Sequence, residues 1–327
     1  MIIAEVGSVH DGSFGNAKKL IDVAKESGAD FIKFQMHIAK NETLKEAYNP
    51  NYFSEEDRYD YFSRMAFNDT QWKSLIKYSK LKKIKFMCSV FSEKAFNILT
   101  SYGVKNIKIP SGEVNNIPLL KQINKKKKLN IFLSTGMSNW REINDALKAL
   151  SNHNIILMQC TSLYPCPENL VGLNIISEMK NRYKNKYDYG FSDHTDGLEA
   201  AISSISFGAN YIEKHITFSK KMYGSDAKFA LEPRDFKIFC NSIKKIKKII
   251  SSPVNKNNLK PVLKMKKIFE KNIVAAKNIL SGKRIELADL EYKKSKTGIK
   301  ACHYRKLIGK RVKKNIKKDE ILKKIHF

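Results

Sequence analysis

Two histidines that follow apolar runs of the chain are the residues best placed to do chemistry. Two short runs rich in β-branched and aromatic residues, Tyr187–Phe191 and Asn210–Ile216, are separated by an amphipathic segment. His194 closely follows the first run, and His215 lies near the end of the second. If a helix joins two parallel strands here, both imidazoles lie at the same end of neighbouring strands, where they can hold a transition metal. The alternative is that His194 caps the following helix and His215 is a hydrogen-bonded core residue.

Lysines and serines at other strand ends indicate an anionic ligand. Lys33 and Lys108 lie inside apolar runs, where an ammonium group is costly to bury unless it meets an anion. Glu5 and Glu113 are candidates for proton transfer or for binding sugar hydroxyls. Hydroxyl groups that suit phosphate or carboxylate oxygens come from Ser89, Ser111, Ser134, Ser162 and Ser192. We therefore expect a small substrate with two or three negative charges. The alternatives are that each lysine extends toward solvent from a strand end and that each serine caps a helix or turn.

Predicted strands and helices alternate along residues 1–250, and these elements must position the candidate residues. Eight strand-helix pairs in that length predict a (β/α)8 TIM barrel, which we take as the catalytic domain. A doubly wound open sheet is the competing architecture, but no G-x-G-x-x-G sequence opens any of the predicted helices. The predicted strands are Ile2–Ala4, Phe31–Phe34, Ile84–Met87, Asn106–Ile109, Asn130–Leu133, Ile155–Met158, Tyr187–Phe191 and Tyr211–Ile212.

The pattern changes after residue 250. Residues 251–261 are polar and contain two prolines, and we predict a linker over residues 251–267. Residues 268–327 read as short strands joined by turns, without a long helix. This spacing predicts a small β-rich module with a core too small to be strongly stable by itself.

Composition narrows the class of protein. The net charge of +29 comes mainly from lysines spread over the whole chain, which predicts solvated helix faces and attraction of anionic substrates rather than a nucleic-acid site. No apolar run approaches the roughly 18–20 residues of a membrane span, so we expect no membrane partner. The start of the sequence does not resemble a secretory signal. The five scattered cysteines suit reduced thiols, so we expect a cytoplasmic protein.

A series of motifs gives the chain a resemblance to the sialic acid synthase family, enzymes that condense phosphoenolpyruvate with an N-acetylated sugar. In order, the motifs are IAEVGSVHDG, KFQ, KIPSGE, LSTGMS, CTSLYP, SDHT, IEKH, GSD and LEP. The resemblance extends over essentially the whole chain. It includes the C-terminal module, which is similar to the antifreeze-like SAF domain of that family, a β-clip fold.

The resemblance implies a role for each candidate residue. His194 and His215 would hold a divalent metal, Mn²⁺ in the first instance, with Mg²⁺ or Co²⁺ as alternatives. The family pattern assigns to phosphoenolpyruvate the side chains of Lys33, Ser89, Lys108, Ser111, Ser134, Ser162, Tyr164 and Ser192. It assigns to the acyl sugar and a metal-bound water the side chains of Glu5, Gln35, Glu113 and Asp226. It also implies a domain-swapped homodimer in which each SAF domain caps the partner barrel.

The chain departs from the family pattern at three places, which leaves the acceptor sugar open. Cys88-Ser89-Val90-Phe91 replaces the usual S-T-P-F, and Ser162 replaces the asparagine of C-T-N. Lys294 replaces the arginine of R-P-G-T-G-I and keeps its charge without its bidentate fork. We expect N-acetylmannosamine as acceptor, giving N-acetylneuraminate. The alternatives are a 2,4-diacetamido hexose giving legionaminate or pseudaminate, a synthase for shorter sugar phosphates, and a non-enzymatic protein that binds a polymer or nucleic acid.

Overall fold

The computed structural model describes residues 1–49 and 56–327, and its first unit, Met1–Ser252, is built on a closed barrel of eight parallel strands. Each strand pairs with the next along the chain, and the last strand pairs with the first. The prediction of a (β/α)8 barrel is confirmed. The strands are β1 (Ile2–Glu5), β2 (Phe31–Met36), β3 (Lys85–Val90), β4 (Asn106–Ile109), β5 (Asn130–Ser134), β6 (Asn154–Gln159), β7 (Asp188–Asp193) and β8 (Tyr211–His215).

Helices follow the strands, and their apolar faces share one core with the outward-facing side chains of the barrel. They are α1 (Phe14–Ser27), α2 (Ala39–Glu42), α3 (Arg58–Met65), α4 (Asp69–Leu81), α5 (Glu93–Ser101), α6 (Ile117–Asn124), α7 (Trp140–Ala149), α8 (Asn174–Arg182), α9 (Glu199–Ser204) and α10 (Pro233–Ile250). The apolar periodicity does not predict the short helices α2 and α3, which lie between β2 and β3. No helix among the described residues is both long and apolar enough to cross a membrane.

Local capping residues set the ends of several helices. Asn68 begins α4 and Asn139 begins α7, each in a reciprocal capping box with the residue three positions later. Gly28 ends α1 with a φ of 97°, a left-handed conformation that other residues adopt at a cost. These signals are readable in the sequence, whose periodicity predicts helices over Asn16–Ser27, Asp69–Leu81 and Trp140–Leu150, close to the observed bounds of α1, α4 and α7.

Inside the barrel, an apolar layer lies below a charged layer. The apolar layer, toward the amino-terminal ends of the strands, comprises Ile3, Phe31, Met87, Phe132, Ile156 and Met158. Because side chains alternate along a strand, the residue two positions later faces the same interior. Glu5 follows Ile3 in this way, Lys33 follows Phe31, and Ser89 follows Met87. The alternation therefore places polar and charged groups at the carboxyl ends of the strands.

Three asparagines form a ladder at the amino-terminal ends of β4, β5 and β6. Asn106, Asn130 and Asn154 are the first residues of these strands and are paired in register. The amide of Asn154 donates to Asn130 Oδ1 at 3.1 Å, and the amide of Asn130 donates to Asn106 Oδ1 at 2.9 Å. Asn106 in turn donates to the Phe86 carbonyl at 3.0 Å, which ties β3 into the same row.

Asn130→Ala is expected to lower the free energy of unfolding by about 1–2 kcal/mol, because it removes two of the three bonds of the ladder. Both tryptophans, Trp72 and Trp140, belong to the barrel unit, so urea unfolding followed by tryptophan fluorescence reports on that unit. Asn97→Ala, at an exposed position of α5, is the control and is expected to shift stability by less than about 0.5 kcal/mol. Equal stability of the two variants would show that the ladder contributes nothing.

The second unit, Pro253–Phe327, is a small β-rich module with its own core. It contains the short helix α11 (Leu263–Phe269) and two antiparallel strands, β9 (Lys271–Ala275) and β10 (Leu290–Lys294). The core comprises Ile273, Ala275, Ile279, Ile285, Leu290, Leu307, Val312, Ile316 and Leu322. The predicted small C-terminal β module is confirmed.

Candidate active site

A buried network of ion pairs lies toward the carboxyl ends of β1, β2, β4 and β8. Lys108 Nζ donates to Glu213 Oε2 at 2.8 Å, and Lys33 Nζ lies 3.3 Å from Glu213 Oε1. Lys33 Nζ also lies 3.1 Å from Glu5 Oε1, and Ser192 Oγ donates to Glu213 Oε1 at 2.9 Å. The four charged side chains are no more than 5% exposed, so two lysines and two carboxylates compensate one another in a site almost without solvent.

The two carboxyl groups of this network have pKa values shifted in opposite directions. Burial raises the pKa of Glu5, although the charge of Lys33 opposes the rise. Burial alone would also raise the pKa of Glu213, but Lys108 and Lys33 outweigh it and hold that pKa well below its ordinary range. Glu5 Oε2 is buried without a hydrogen-bond partner among the described residues. Glu213 is therefore the permanent anion, and Glu5 is the carboxyl group suited to carry a proton.

The two lysines also differ in how they are held. Burial alone would lower the pKa of Lys33, but Glu213 and Glu5 together raise it above its ordinary value. Lys108 is paired with Glu213 alone in the described part of the chain, and burial lowers its pKa. Lys33 Nζ donates in addition to Ser89 Oγ at 3.1 Å. The charge of Lys108 therefore depends on Glu213 more than the charge of Lys33 does.

Small polar side chains surround Gly136, in the turn that follows β5. The Gly136 amide donates to Ser111 Oγ at 3.3 Å, and Ser111 Oγ lies 3.2 Å from Cys160 Sγ. A Cβ at Gly136 would lie 2.6 Å from both Cys160 Sγ and Ser162 Oγ, so a larger residue cannot stand here without displacing them. Two predicted serines are thus brought together across the ends of three neighbouring strands, where their hydroxyls can donate to an oxyanion.

The two histidines lie side by side, as the strand-helix-strand interpretation requires. The His194 and His215 ring centroids are 6.2 Å apart. His194 Nδ1 lies 2.7 Å from the Thr161 carbonyl, which can only accept, so Nδ1 carries the proton. The lone pair of Nε2 then faces Tyr164, whose hydroxyl donates to it at 3.2 Å. Burial lowers the pKa of His194 to about 3 and keeps the ring neutral.

This pair fits a divalent metal held by two nitrogen ligands. A backbone carbonyl that fixes one ring nitrogen as a donor is the usual way of orienting a metal-binding histidine. His215 Nδ1 is buried without a hydrogen-bond partner among the described residues. The same residues contain no group of three or more histidines, cysteines and carboxylates arranged for a metal. Substrate or water oxygens would have to complete the ligand set.

Asp226 lies beside His215 and is held by the first βα turn. Asp226 Oδ2 accepts from the Ser8 amide at 2.7 Å and from the Ser8 hydroxyl at 2.8 Å. Burial alone would raise the pKa of Asp226, but His215 and these two bonds hold it below the ordinary value. A Cβ at Gly7 would clash with Asp226 Oδ2, and the φ of 54° at Gly7 also favours glycine. The GSVHDG turn therefore positions a carboxylate next to the histidine pair.

The structure brings most of the predicted site residues together. The ion-pair network includes Glu5, Lys33, Gln35, Ser89, Lys108 and Ser192; Ser111 and Ser162 meet at Gly136; and Tyr164 and Asp226 flank the pair of His194 and His215. Ser134 is buried at the end of β5. Glu113 accepts from Asn116 at 2.7 Å, and burial raises its pKa. Lys294 is in the second unit, with its Nζ 4.7 Å from the Phe269 ring centroid. The ligand assigned to each of these residues stays a prediction.

The predicted set omits Glu213, although this carboxylate joins the two lysines. The signal is present in the IEKH motif, because alternation along β8 puts Glu213 and His215 on one side and Lys214 on the other. Once the register of β8 is known, the contact of Glu213 with the two inward-facing lysines can therefore be predicted. From the sequence alone, the anion that meets the two lysines could be Glu5, Glu113 or the substrate, and no sequence feature distinguishes among them.

Lys214 belongs to a second buried ion pair on the outer side of the same strand. Its Nζ donates to Asp193 Oδ2 at 2.8 Å and to the Thr195 carbonyl at 2.6 Å. Asp193 Oδ1 accepts from both the amide and the hydroxyl of Thr195, at 2.9 and 2.8 Å. The lysine therefore binds the residues on both sides of His194 and fixes the turn that carries it.

A parallel (β/α)8 barrel with a charged, desolvated site at the carboxyl ends of its strands is the architecture of a TIM-barrel enzyme. Residues 20–255 match the model of the NeuB family, and residues 271–327 match that of the SAF domain. The chain belongs to the NeuB family, and the resemblance inferred from its motifs is confirmed.

Relatives in this family are synthases of nonulosonic acids. The chain is 38% identical to N,N'-diacetyllegionaminic acid synthase of Campylobacter jejuni, over 99% of this chain and 98% of the relative. It is 30% identical to N-acetylneuraminate-9-phosphate synthase of Homo sapiens, over 98% of this chain and 90% of the relative. The N-acetylneuraminic acid (sialic acid) synthetase structure from Leptospira borgpetersenii superposes with a TM-score of 0.70 at 27% identity, covering 82% of this chain and 91% of that one.

Proposed function

We propose that this protein is a nonulosonic acid synthase that condenses phosphoenolpyruvate with the open-chain aldehyde of an N-acylated amino hexose and releases inorganic phosphate. The observation that carries the proposal is the buried network of Lys33, Lys108, Glu5 and Glu213 next to His194 and His215, in a chain of the NeuB family. A small polyanion requires fixed positive charge, and a carbonyl electrophile requires polarisation. The lysines can supply the positive charge, and a metal held by the two histidines can supply the polarisation.

The lysines and hydroxyls would bind phosphoenolpyruvate. Lys33 and Lys108 are fixed cations in a site from which solvent is nearly excluded, so their attraction for phosphate and carboxylate is screened little. Ser111 and Ser162 add neutral donors at Gly136. Glu213 holds both ammonium groups in place before the ligand arrives, so little reorganisation is needed when charge develops on the substrate.

The reaction forms one carbon–carbon bond and breaks one carbon–oxygen bond. C3 of phosphoenolpyruvate attacks the aldehyde carbon, whose oxygen takes up a proton and becomes a hydroxyl. Water adds at C2, and the bond between C2 and the phosphate oxygen then breaks, so that a ketone remains at C2 and inorganic phosphate leaves. Glu5, with its raised pKa, is the group that would take up the proton released by the water. When bound by His194 and His215, a divalent metal such as Mn²⁺ would supply Lewis-acid polarisation of a carbonyl oxygen. Asp226 would hold polar hydrogens of the acceptor or of water beside it.

The acceptor that we favour is a 2,4-diacetamido hexose, which would make the product a legionaminic acid. The support is the 38% identity to a diacetyllegionaminic acid synthase, against 30% to an N-acetylneuraminate-9-phosphate synthase. N-acetylmannosamine, the acceptor expected from the motifs, is the second candidate. Lys294 stands in place of the arginine that the family pattern assigns to the acyl sugar, and it keeps the charge without the bidentate fork.

We also propose a cytoplasmic homodimer. The cysteines of the described residues are all unpaired, which suits a reducing compartment. The resemblance implies a domain-swapped arrangement in which the side chain at position 294 reaches the sugar site of the partner subunit, and both stay predictions.

The proposal is tested by phosphate release from phosphoenolpyruvate and Mn²⁺ with either sugar offered in parallel. We expect release that requires a sugar, with the higher kcat/KM for the diacetamido hexose. His215→Ala is expected to lower kcat/KM by more than about 100-fold, because mutating even a residue that hydrogen-bonds to a metal ligand typically lowers activity by about 10- to 100-fold. His303→Ala, at an exposed position of the second unit, is the matched control and should match the unmutated chain.

Each outcome bears on a different part of the proposal. No phosphate release with either sugar, by a protein whose circular dichroism shows it to be folded, would rule out the synthase function. Release that is unaffected by His215→Ala would leave the synthase function standing and rule out the metal assignment.

A further inference from the structure

His37, directly after β2, is held in a position that the predicted site does not account for. Its ring stacks between the rings of Phe62 and Phe91, with centroid distances of 3.7 and 4.1 Å and interplanar angles of 12° and 22°. The His37 side chain is 9% exposed, and that of its partner Glu42 is 5% exposed. The three stacked rings come from the residue after β2, from α3 and from the turn after β3, so separate segments of the chain fix the His37 ring.

Both ring nitrogens of His37 face oxygen atoms. Nδ1 lies 2.6 Å from Glu42 Oε1, and Nε2 lies 2.9 Å from Gln35 Oε1. Glu42 Oε2 accepts from the Ile38 amide at 3.2 Å, which suits a carboxylate. A carboxylate and an amide carbonyl only accept hydrogen bonds, so His37 satisfies both by donating from both nitrogens. That requires the imidazolium form, which Glu42 neutralises and the two aromatic faces stabilise.

The other partner of the Gln35 amide agrees with this arrangement. Gln35 Nε2 donates to Glu5 Oε1 at 2.6 Å, while Gln35 Oε1 accepts from His37. In the reverse orientation the NH2 of the Gln35 amide would meet the Nε2–H of His37, and the Gln35 oxygen would face the Glu5 carboxylate. A doubly protonated His37 therefore permits only the orientation in which the Gln35 oxygen faces His37 and the Gln35 NH2 faces Glu5.

Other ionisable groups lie around the pair of His37 and Glu42. Burial, followed by the charge of His37, lowers the pKa of His10 to about 4, so His10 stays neutral beside it. Burial raises the pKa of Glu113, and the nearby Glu42 adds to that rise. Glu42 is the carboxylate that contacts the His37 ring in the described residues.

We propose that His37 is a positioning residue: as an imidazolium paired with Glu42, it fixes the Gln35 amide toward Glu5 and so sets the acceptor side of the active site. The kinetic part rests on the proposed function, because Gln35 is the residue that the family pattern assigns to the acyl sugar. His37 itself contacts neither of the lysines that would hold phosphoenolpyruvate in any described interaction. Its loss should therefore change acceptor use more than phosphoenolpyruvate use.

The protonation state is tested without activity. In ¹⁵N-labelled protein, long-range ¹H–¹⁵N correlation spectra distinguish a ring with two protonated nitrogens from a ring with one, and His37→Phe assigns the signal by its absence. We expect two protonated nitrogens in the unmutated chain at neutral pH and one in Glu42→Gln. A single protonated nitrogen in the unmutated chain would overturn the proposal, since a neutral ring leaves Gln35 free to reverse.

The positioning role is tested by two variants and their combination. His37→Phe keeps the stack of three rings but removes both hydrogen bonds, and Glu42→Gln keeps the side-chain shape but removes the counter-charge. Each is expected to lower kcat/KM for the acceptor by about 10- to 100-fold and to leave KM for phosphoenolpyruvate within about 2-fold. The double variant should lose no more than the worse single variant, because both act through Gln35.

Glu46→Gln, at an exposed position four residues after Glu42, is the control and should behave as the unmutated chain. Unchanged acceptor kinetics in folded Glu42→Gln, or additive losses in the double variant, would overturn the positioning role. If the unmutated chain releases no phosphate with either sugar, the proposed function fails, while the nitrogen spectra still decide whether His37 is an imidazolium.

Discussion

Glu213→Gln is expected to lower the free energy of unfolding of the barrel by about 3–5 kcal/mol, the usual cost of breaking a buried ion pair by removing one partner. Glutamine keeps the volume of the side chain, so the effect is one of charge rather than of a cavity. Lys33 retains Glu5 at 3.1 Å, but Lys108 is left without a described carboxylate partner. Burial already lowers the pKa of Lys108, so the lysine in this variant should be neutral for part of the time.

The same substitution is expected to lower kcat/KM for phosphoenolpyruvate by about 100-fold or more, the size of effect seen when one preorganised group is lost from a desolvated site. KM for phosphoenolpyruvate should rise, because Lys108 is one of the two fixed cations offered to the anion. This pattern differs from that of His37→Phe, which should act on the acceptor. Phosphate-release kinetics with each substrate varied in turn separate the two.

Glu178→Gln is the matched control for stability. Glu178 pairs with Arg182 at 3.2 Å, and both side chains are about 40% exposed. Exposed pairs of this kind contribute at most about 1 kcal/mol, so this variant should unfold at nearly the same urea concentration as the unmutated chain. If Glu213→Gln were as stable and as active as Glu178→Gln, the network would have no part in either stability or catalysis.

The sequence predicts the barrel well because its evidence is local. Short apolar runs alternate with amphipathic segments, and capping residues such as Asn68 and Asn139 mark where helices begin. A strand-helix-strand unit in a parallel sheet puts both strand ends on one side. The proximity of His194 and His215 therefore follows from secondary structure alone, without any knowledge of packing.

The connections among site residues are less predictable because they depend on register and on distant segments. Lys108 and Glu213 are 105 positions apart, and their contact requires knowing which face of each strand points inward. The stack around His37 needs α3, a helix of 8 residues that the periodicity does not predict. Charged residues inside apolar runs show that ion pairs must form, but not which groups form them.

Lys214→Met is the second substitution expected to have a large effect, with a loss of about 3–5 kcal/mol in the free energy of unfolding. The Lys214 and Asp193 side chains are 1% and 0% exposed, so removing the ammonium group leaves a fully buried carboxylate uncompensated. Methionine keeps most of the volume of the lysine stem. The Thr195 carbonyl would also lose the hydrogen bond that it accepts from the lysine, so the turn that carries His194 should become more mobile.

Two further variants show whether the buried charge causes the loss. Lys220→Met breaks a pair of 2.9 Å whose side chains are 39% and 73% exposed, and it should cost less than about 1 kcal/mol. Asp193→Asn added to Lys214→Met removes the unpaired charge while keeping an acceptor for Thr195, so the double variant should be more stable than Lys214→Met alone. Urea unfolding followed by tryptophan fluorescence measures all three in the barrel unit. A double variant less stable than Lys214→Met would mean that the unpaired charge does not cause the loss, and that the Asp193 carboxylate holds the turn between β7 and α9 through its bonds to Thr195.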